Sequence, residues 1–190
     1  MNYLDYIPPE LVVEILLYLD IDEIENLSKI STNVRDVIDT KLFWIKKLQF
    51  DNMSEYIPFL GRKGTYLEDY KEFMEIEEEI YHTKFAAWLT IRLKRDVDIK
   101  DLIEDYTPEE IADLITLKKD ASEVIEIEYK GSLGYEYIIF NSKKLPNLPS
   151  TRGELSEEEA KVLLIKLRLG GVILKSIGNW VEMYDENKYI

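Results

Sequence analysis

Residues 7–44 read IPPELVVEILLYLDIDEIENLSKISTNVRDVIDTKLFW, and they decide how the N-terminal part of the chain folds. Pro8 and Pro9 stand where a helix begins, because proline's fixed φ suits the first turn and its missing N–H is not needed there. Leu11, Val12, Ile15, Leu16 and Leu19 follow at helical spacing on one broad face. Asp20 and Asp22 break that helix. Asp22 followed by Glu25 has the form of a capping box and predicts a second helix, with Ile24, Leu27 and Ile30 as its stripe. Ser31 is placed to cap a third helix carrying Val34, Val37 and Ile38, and Phe43 and Trp44 add large apolar area near the end. Three short amphipathic helices in roughly forty residues rarely bury enough apolar surface to fold alone. This segment is expected to complete its core against a partner.

The rest of the composition narrows the class. A chain of 190 residues is one domain plus an appendage, or two small domains. Its hydrophobic content of 46% supplies a core, and 33% charged residues supply a solvated surface. A net charge of −14 argues against nucleic acid as a main partner, since phosphate binding needs clustered Lys and Arg. Lys161, Lys166, Arg168 and Lys175 form one local basic patch, read as a solvated helix face rather than a phosphate site. There is no cysteine and one histidine, His82. A thiol nucleophile and a cysteine-based zinc site are thereby excluded, and no catalytic or metal-ligating residue is assigned. The opening MNYLDYIPPE lacks the basic-then-apolar layout of a secretory leader. No apolar run approaches the roughly twenty residues that span a bilayer. These features predict an intracellular protein, cytoplasmic or nuclear, without a membrane or a cofactor.

The N-terminal pattern resembles the F-box. An apolar-Pro-x-Glu-Leu opening is matched by Ile7, Pro8, Glu10 and Leu11. The family's Ile and Tyr-Leu-Asp positions fall on Ile15 and Tyr18-Leu19-Asp20, and its later positions on Ile24, Leu27, Ile30-Ser31, Arg35 and Trp44. The box would extend over about residues 5–48. Two positions depart: Ile7 replaces the usual Leu, and Val34 stands where many members carry Trp. The resemblance implies docking on a Skp-family adaptor and, through it, on a cullin. The residues implied at or supporting that interface are Ile7, Pro8, Pro9, Leu11, Ile15, Leu16, Leu19, Ile24, Leu27, Ile30, Val34 and Trp44. A self-contained helical core is the alternative use of the same side chains.

Residues 54–119 are expected to be helical. Thr65 and Glu68 form a capping box ahead of Tyr70, Phe73 and Met74. Tyr66, Tyr70 and Lys71 are similar to an aromatic-x-x-x-Tyr-Lys stretch that follows the box in many F-box proteins. Ile80, Ala87, Trp88 and Ile91 are read at helical spacing over residues 75–95, and Thr107-Pro108-Glu109-Glu110 opens a further helix. Glu75, Glu77, Glu78 and Glu79 are read as a solvated face rather than an acid–base or metal site.

From Glu123 the periodicity changes to alternation. VIEIEYK, a turn at Gly131-Ser132-Leu133-Gly134, and YEYIIFN predict a hairpin. LPNLPSTRG over 145–153 reads as a Pro-rich loop, Ser156 and Glu159 cap a helix ended by Gly170-Gly171, and VILKSI with WVEMY about Gly178-Asn179 predicts a second hairpin. The expected fold class is therefore α+β: an F-box over 1–50, a helical linker over 51–122, and a small domain of two β-hairpins and a helix over 123–190. Tyr135, Tyr137, Trp180, Tyr184 and, more weakly, Arg152 are candidate substrate contacts, with burial in the hairpin core as the alternative for the aromatics.

The functional expectation is a non-catalytic adaptor that recruits a protein substrate, of unknown identity, to a cullin–RING ubiquitin ligase. One alternative keeps adaptor binding without ubiquitin transfer, as a competitor or a non-ligase scaffold. A second is a small enzyme in the C-terminal domain, motivated only by its separate α+β pattern.

Overall fold

The computed structural model describes residues 6–83, 88–116, 121–130, 134–141, 149–177 and 180–185, the side chains of 82, 83, 88, 141, 173–177 and 180–185 excepted. The chain forms two compact units, residues 1–75 and 76–190, divided within one helix.

The first unit is helical. Helix α1 spans Pro9–Leu17, α2 Ile21–Ile30, α3 Thr32–Ile38 and α4 Lys41–Phe50. A 3-10 turn, Ser54–Phe59, leads to α5, Tyr66–Thr83. Ser31 caps α3 as expected, accepting from Val34 N at 3.3 Å. The capping box of α2, however, is Asp20 with Glu23, not Asp22 with Glu25. Asp20 accepts from Glu23 N at 2.8 Å, and Glu23 accepts from Asp20 N at 3.0 Å. The helix therefore starts a turn-fraction earlier, directly at the Asp that ends α1's run. Thr40 caps a fourth helix that periodicity did not mark, because α4 is apolar around most of its circumference. Its Phe43, Trp44 and Leu48 are buried with Val12, Leu16, Ile24 and Val34. The predicted box at Thr65 and Glu68 forms, with Glu68 N donating to Thr65 Oγ1 at 3.2 Å.

The second unit is a six-stranded sheet in the order β4-β3-β2-β1-β6-β5. The predicted hairpins are present, β2 (Glu123–Tyr129) with β3 (Tyr135–Asn141), and β5 (Val172–Ile177) with β6 (Trp180–Asp185). Their turn residues Gly131, Ser132, Leu133, Gly178 and Asn179 lie outside the described residues. Two further strands correct the expectation. Residues 88–93, read as helix, form β1 (Trp88–Leu93), antiparallel to β2 and briefly parallel to β6. Part of the Pro-rich loop forms β4 (Pro149–Leu155), antiparallel to β3. The overall class remains α+β.

Helices α6 (Ile99–Glu104), α7 (Pro108–Leu114) and α8 (Glu157–Leu169) complete the unit. Capping boxes at Thr107 with Glu110 and at Ser156 with Glu159 start α7 and α8 as predicted. Leu89, Ile91, Leu93, Ile125, Ile127, Tyr135, Tyr137, Ile139 and Leu155 share one core with Leu102, Ile111, Leu114, Leu163 and Leu167. The alternate strand positions, among them Thr90, Arg92, Glu126, Glu128 and Ile138, are half-buried on the other face. That alternation is the signature of an antiparallel sheet packed on one side. Gly170, at the end of α8, permits the close approach to α7: a Cβ there would stand 2.5 Å from Pro108 O.

Candidate docking surface

The first unit spends its apolar side chains in two directions. Val12, Leu16 and Leu17 turn inward from α1, whereas Leu11, Ile15 and Tyr18 are 54, 43 and 76% exposed. These three recur at i, i+4 and i+7, so they line up along one outward stripe. Pro8 and Pro9 are exposed at its head. At its foot Tyr18 meets Phe50 of α4 edge-on, with ring centroids 4.9 Å apart, and Phe50 is itself exposed. Leu42 and Ile30 add exposed apolar area elsewhere on the unit.

Several contacts hold the helices beneath this stripe. Trp44 is fully buried, donates from Nε1 to Ile38 O at 2.6 Å and packs on Phe43 and Tyr70. Lys47 is buried. Its Nζ donates to Leu17 O, the last carbonyl of α1, at 2.9 Å and pairs with Asp51 at 3.1 Å. A cation at a helix C-terminus also meets the negative end of the helix dipole. The Tyr70 hydroxyl donates to Asp51 at 2.5 Å, and burial together with that carboxylate pushes the phenol far above its ordinary range. Lys71 reaches Glu25 on α2 at 2.5 Å, which lowers the Glu25 pKa and raises that of Lys71. Asp69, wholly buried, accepts from the Gly61 and Lys63 amides and orders the loop before α5. Tyr70 and Lys71 of the stretch read after the box thus tie α5 to α4 and α2. At the entrance to α1, Asn33 donates to Ile7 O at 3.2 Å.

The residues implied by the resemblance divide accordingly. Pro8, Pro9, Leu11, Ile15 and Ile30 are exposed, and Ile7, Leu19 and Leu27 are half-buried. Leu16, Ile24, Val34 and Trp44 lie in the core and can only support a surface from beneath. Tyr18 and Phe50 also belong to the exposed apolar surface, although neither is among the interface residues that the resemblance implies. The i+7 spacing of Tyr18 from Leu11 would have found the first; no sequence signal places Phe50 beside it.

In the second unit, Tyr135 and Tyr137 are 9 and 7% exposed and belong to the core, so they are not presented to a partner. The hairpin faces are fixed by the helices packed on them, and both tyrosines fall on the covered side. Arg152 is exposed on β4. The side chains of Trp180 and Tyr184, like that of His82, lie outside the described residues. The basic patch on α8 is not a solvated face. Lys161 pairs with Glu77 at 3.0 Å and Arg168 with Glu79 at 2.5 Å. Lys166 is buried and donates to the carbonyls of Leu102, Ile103 and Tyr106 at the end of α6, and burial lowers its pKa. The side chain of Lys175 is outside the described residues. Among the described residues no group of three acidic or histidine side chains is placed to hold a metal ion, and no helix is long and apolar enough to cross a membrane.

The first unit thus combines a buried aromatic centre with an outward apolar stripe. The F-box domain model matches residues 4–46, within this N-terminal unit. F-box domains bind Skp-family proteins, and the domain supports a general role as an SCF-type ubiquitin ligase adaptor. No curated protein and no solved structure matches the chain.

Proposed function

We propose that the protein is a non-catalytic, intracellular substrate receptor. Its N-terminal unit docks on a Skp-family adaptor, which links it to a cullin, and residues 76–190 hold the protein to be ubiquitinated. The observation that carries this reading is the exposed stripe Leu11, Ile15 and Tyr18, set within the segment that the F-box model matches. Apolar residues this regular and this exposed cost little in the isolated unit and gain when a partner covers them.

The test uses the full chain and a purified Skp-family adaptor in titration calorimetry. Leu11→Asp and Ile15→Asp should each weaken binding by roughly 2 kcal/mol, about thirtyfold in Kd. Thermal stability should hardly move, since neither side chain is in the core. No binding of the unaltered chain at micromolar concentration would sink the proposal. Adding a cullin separates the receptor from a competitor: a ternary complex is expected, and an adaptor complex that excludes the cullin would overturn the ligase role.

A further inference from the structure

The sheet ends at β4, and among the described residues no strand pairs with its outer side. The direction of its backbone groups follows from the ladder. Lys130 N donates to Gly134 O at 2.8 Å. Gly134, Glu136 and Ile138 therefore turn their N–H and C=O toward β2, while Tyr135, Tyr137 and Ile139 turn theirs toward β4. Ile139 O accordingly accepts from Ser150 Oγ at 2.9 Å. The partners of these residues, Leu155, Gly153 and Thr151, face back toward β3. Arg152 and Glu154, which alternate with them, direct both backbone groups outward.

We infer that β4 is where a second copy of this chain pairs, antiparallel about Gly153. A two-fold axis through Gly153 sets Arg152 opposite Glu154 of the second copy, and Glu154 opposite its Arg152. Each of these residues has its N–H and C=O on the outer side, so both pairs exchange backbone hydrogen bonds without rearrangement. Their side chains lie on the same exposed face of the sheet and form two opposite-charge cross-strand pairs. Among the described residues neither Arg152 nor Glu154 has an ion-pair partner within its own chain. Gly153 faces its own counterpart across the axis with no side chain between. Registers centred on Arg152 or Glu154 would satisfy the same hydrogen-bond pattern but set like charges against each other. Charge therefore selects the Gly153 register, and the interface is self-complementary in the way a two-fold dimer requires.

The pairing is bounded. Pro149 has no N–H, and Ser156 N is already held by Glu159 at 2.7 Å. Few residues take part, which places the contact among weak, transient interfaces, with a Kd on the order of 100 µM.

Sedimentation of the full chain over a concentration series spanning that value should show monomer–dimer exchange. Arg152→Glu alone and Glu154→Arg alone each set like charges in register and should weaken association about tenfold. The double variant R152E/E154R recreates the complementarity and should restore it, and an equimolar mixture of the two single variants should form a heterodimer. Arg152→Pro deletes an outward N–H that the fold does not use and should abolish association while leaving the circular dichroism unchanged. A chain that stays monomeric throughout, a double variant as weak as the single ones, or association that survives Arg152→Pro would each overturn the inference.

Discussion

The two units handle apolar surface in opposite ways. Among the described side chains, Tyr6, Leu11, Ile15, Tyr18, Ile30, Leu42, Phe50 and Met74 are the large exposed hydrophobics of the first unit; the second has only Tyr81. The sheet unit turns its apolar strand positions toward three helices and presents charge and backbone. The helical unit has short helices and too few layers to cover both sides of α1 and α4. The first unit thus presents apolar side chains. Among the described residues, the second leaves the outer edge of β4 without a strand partner.

Beneath that difference lies a shared device. Lys47 and Lys166 are both buried, and each donates its ammonium to the last carbonyls of a helix, α1 in one unit and α6 in the other. Helix ends leave carbonyls without partners, and a long cationic side chain from a neighbouring helix supplies the donor where a Gly-type cap is absent. Position in sequence does not reveal this use of lysine.

The largest difference between the units should appear on substitution of Trp44. Trp44→Ala removes the centre of the helical core and should cost about 3–5 kcal/mol. Amide exchange should show the loss across α1–α4, with β1–β4 protection retained. Loss of protection in both units together would show that the division near residue 75 is not a division in stability.

Lys166→Met should come next, with a cost of about 1–3 kcal/mol, because the carbonyls of Leu102, Ile103 and Tyr106 lose their donor while the aliphatic volume stays. Faster exchange confined to α6 is the expected readout. An unchanged α6 would mean that water replaces the amine without penalty.

The smallest effect concerns pH. Glu123 is buried and accepts from Val97 N at 2.9 Å; burial raises its pKa above the ordinary carboxylate value. The folded state therefore holds a proton more readily than the unfolded one. Stability contributed at this site falls as pH rises from the unfolded value through the folded one. Glu25 and Glu159 have lowered values, from Lys71 and Lys100 respectively, so their contributions are lost as pH falls. Comparing Glu123→Gln with the unaltered chain isolates the first trend. The unaltered chain should lose ground to the variant as pH climbs from about 4 toward neutrality. A difference that is flat with pH, or that runs the other way, would show that Glu123 does not titrate as its burial demands.

Much of the helical unit was legible because local rules agree there. Pro8 and Pro9, the Ser31 cap and the Thr65–Glu68 box each act within a few residues. The α2 start is ambiguous in the sequence because the segment offers two overlapping Asp-x-x-Glu frames, at Asp20 and Asp22. Only the end of α1 selects between them. β1 is ambiguous for a different reason. Ala87, Trp88 and Ile91 fit a helix, while Leu89, Ile91 and Leu93 fit a strand, and so short an apolar run supports both periods. β4 carries no apolar alternation to read. As an edge strand, its side chains from Pro149 to Arg152 are exposed, and it is a strand because β3 supplies its ladder.

The N-terminal helices, their resemblance to the F-box and the α+β class were readable from residue order alone. Those rest on caps, breaks and stripes that act within one or two turns. Packing sets which apolar residues stay outside, buries Tyr135 and Tyr137 in the core, and makes Lys47 and Lys166 internal caps. Such outcomes depend on what packs opposite each side chain, and the chain brings those partners together from as far as 64 residues apart.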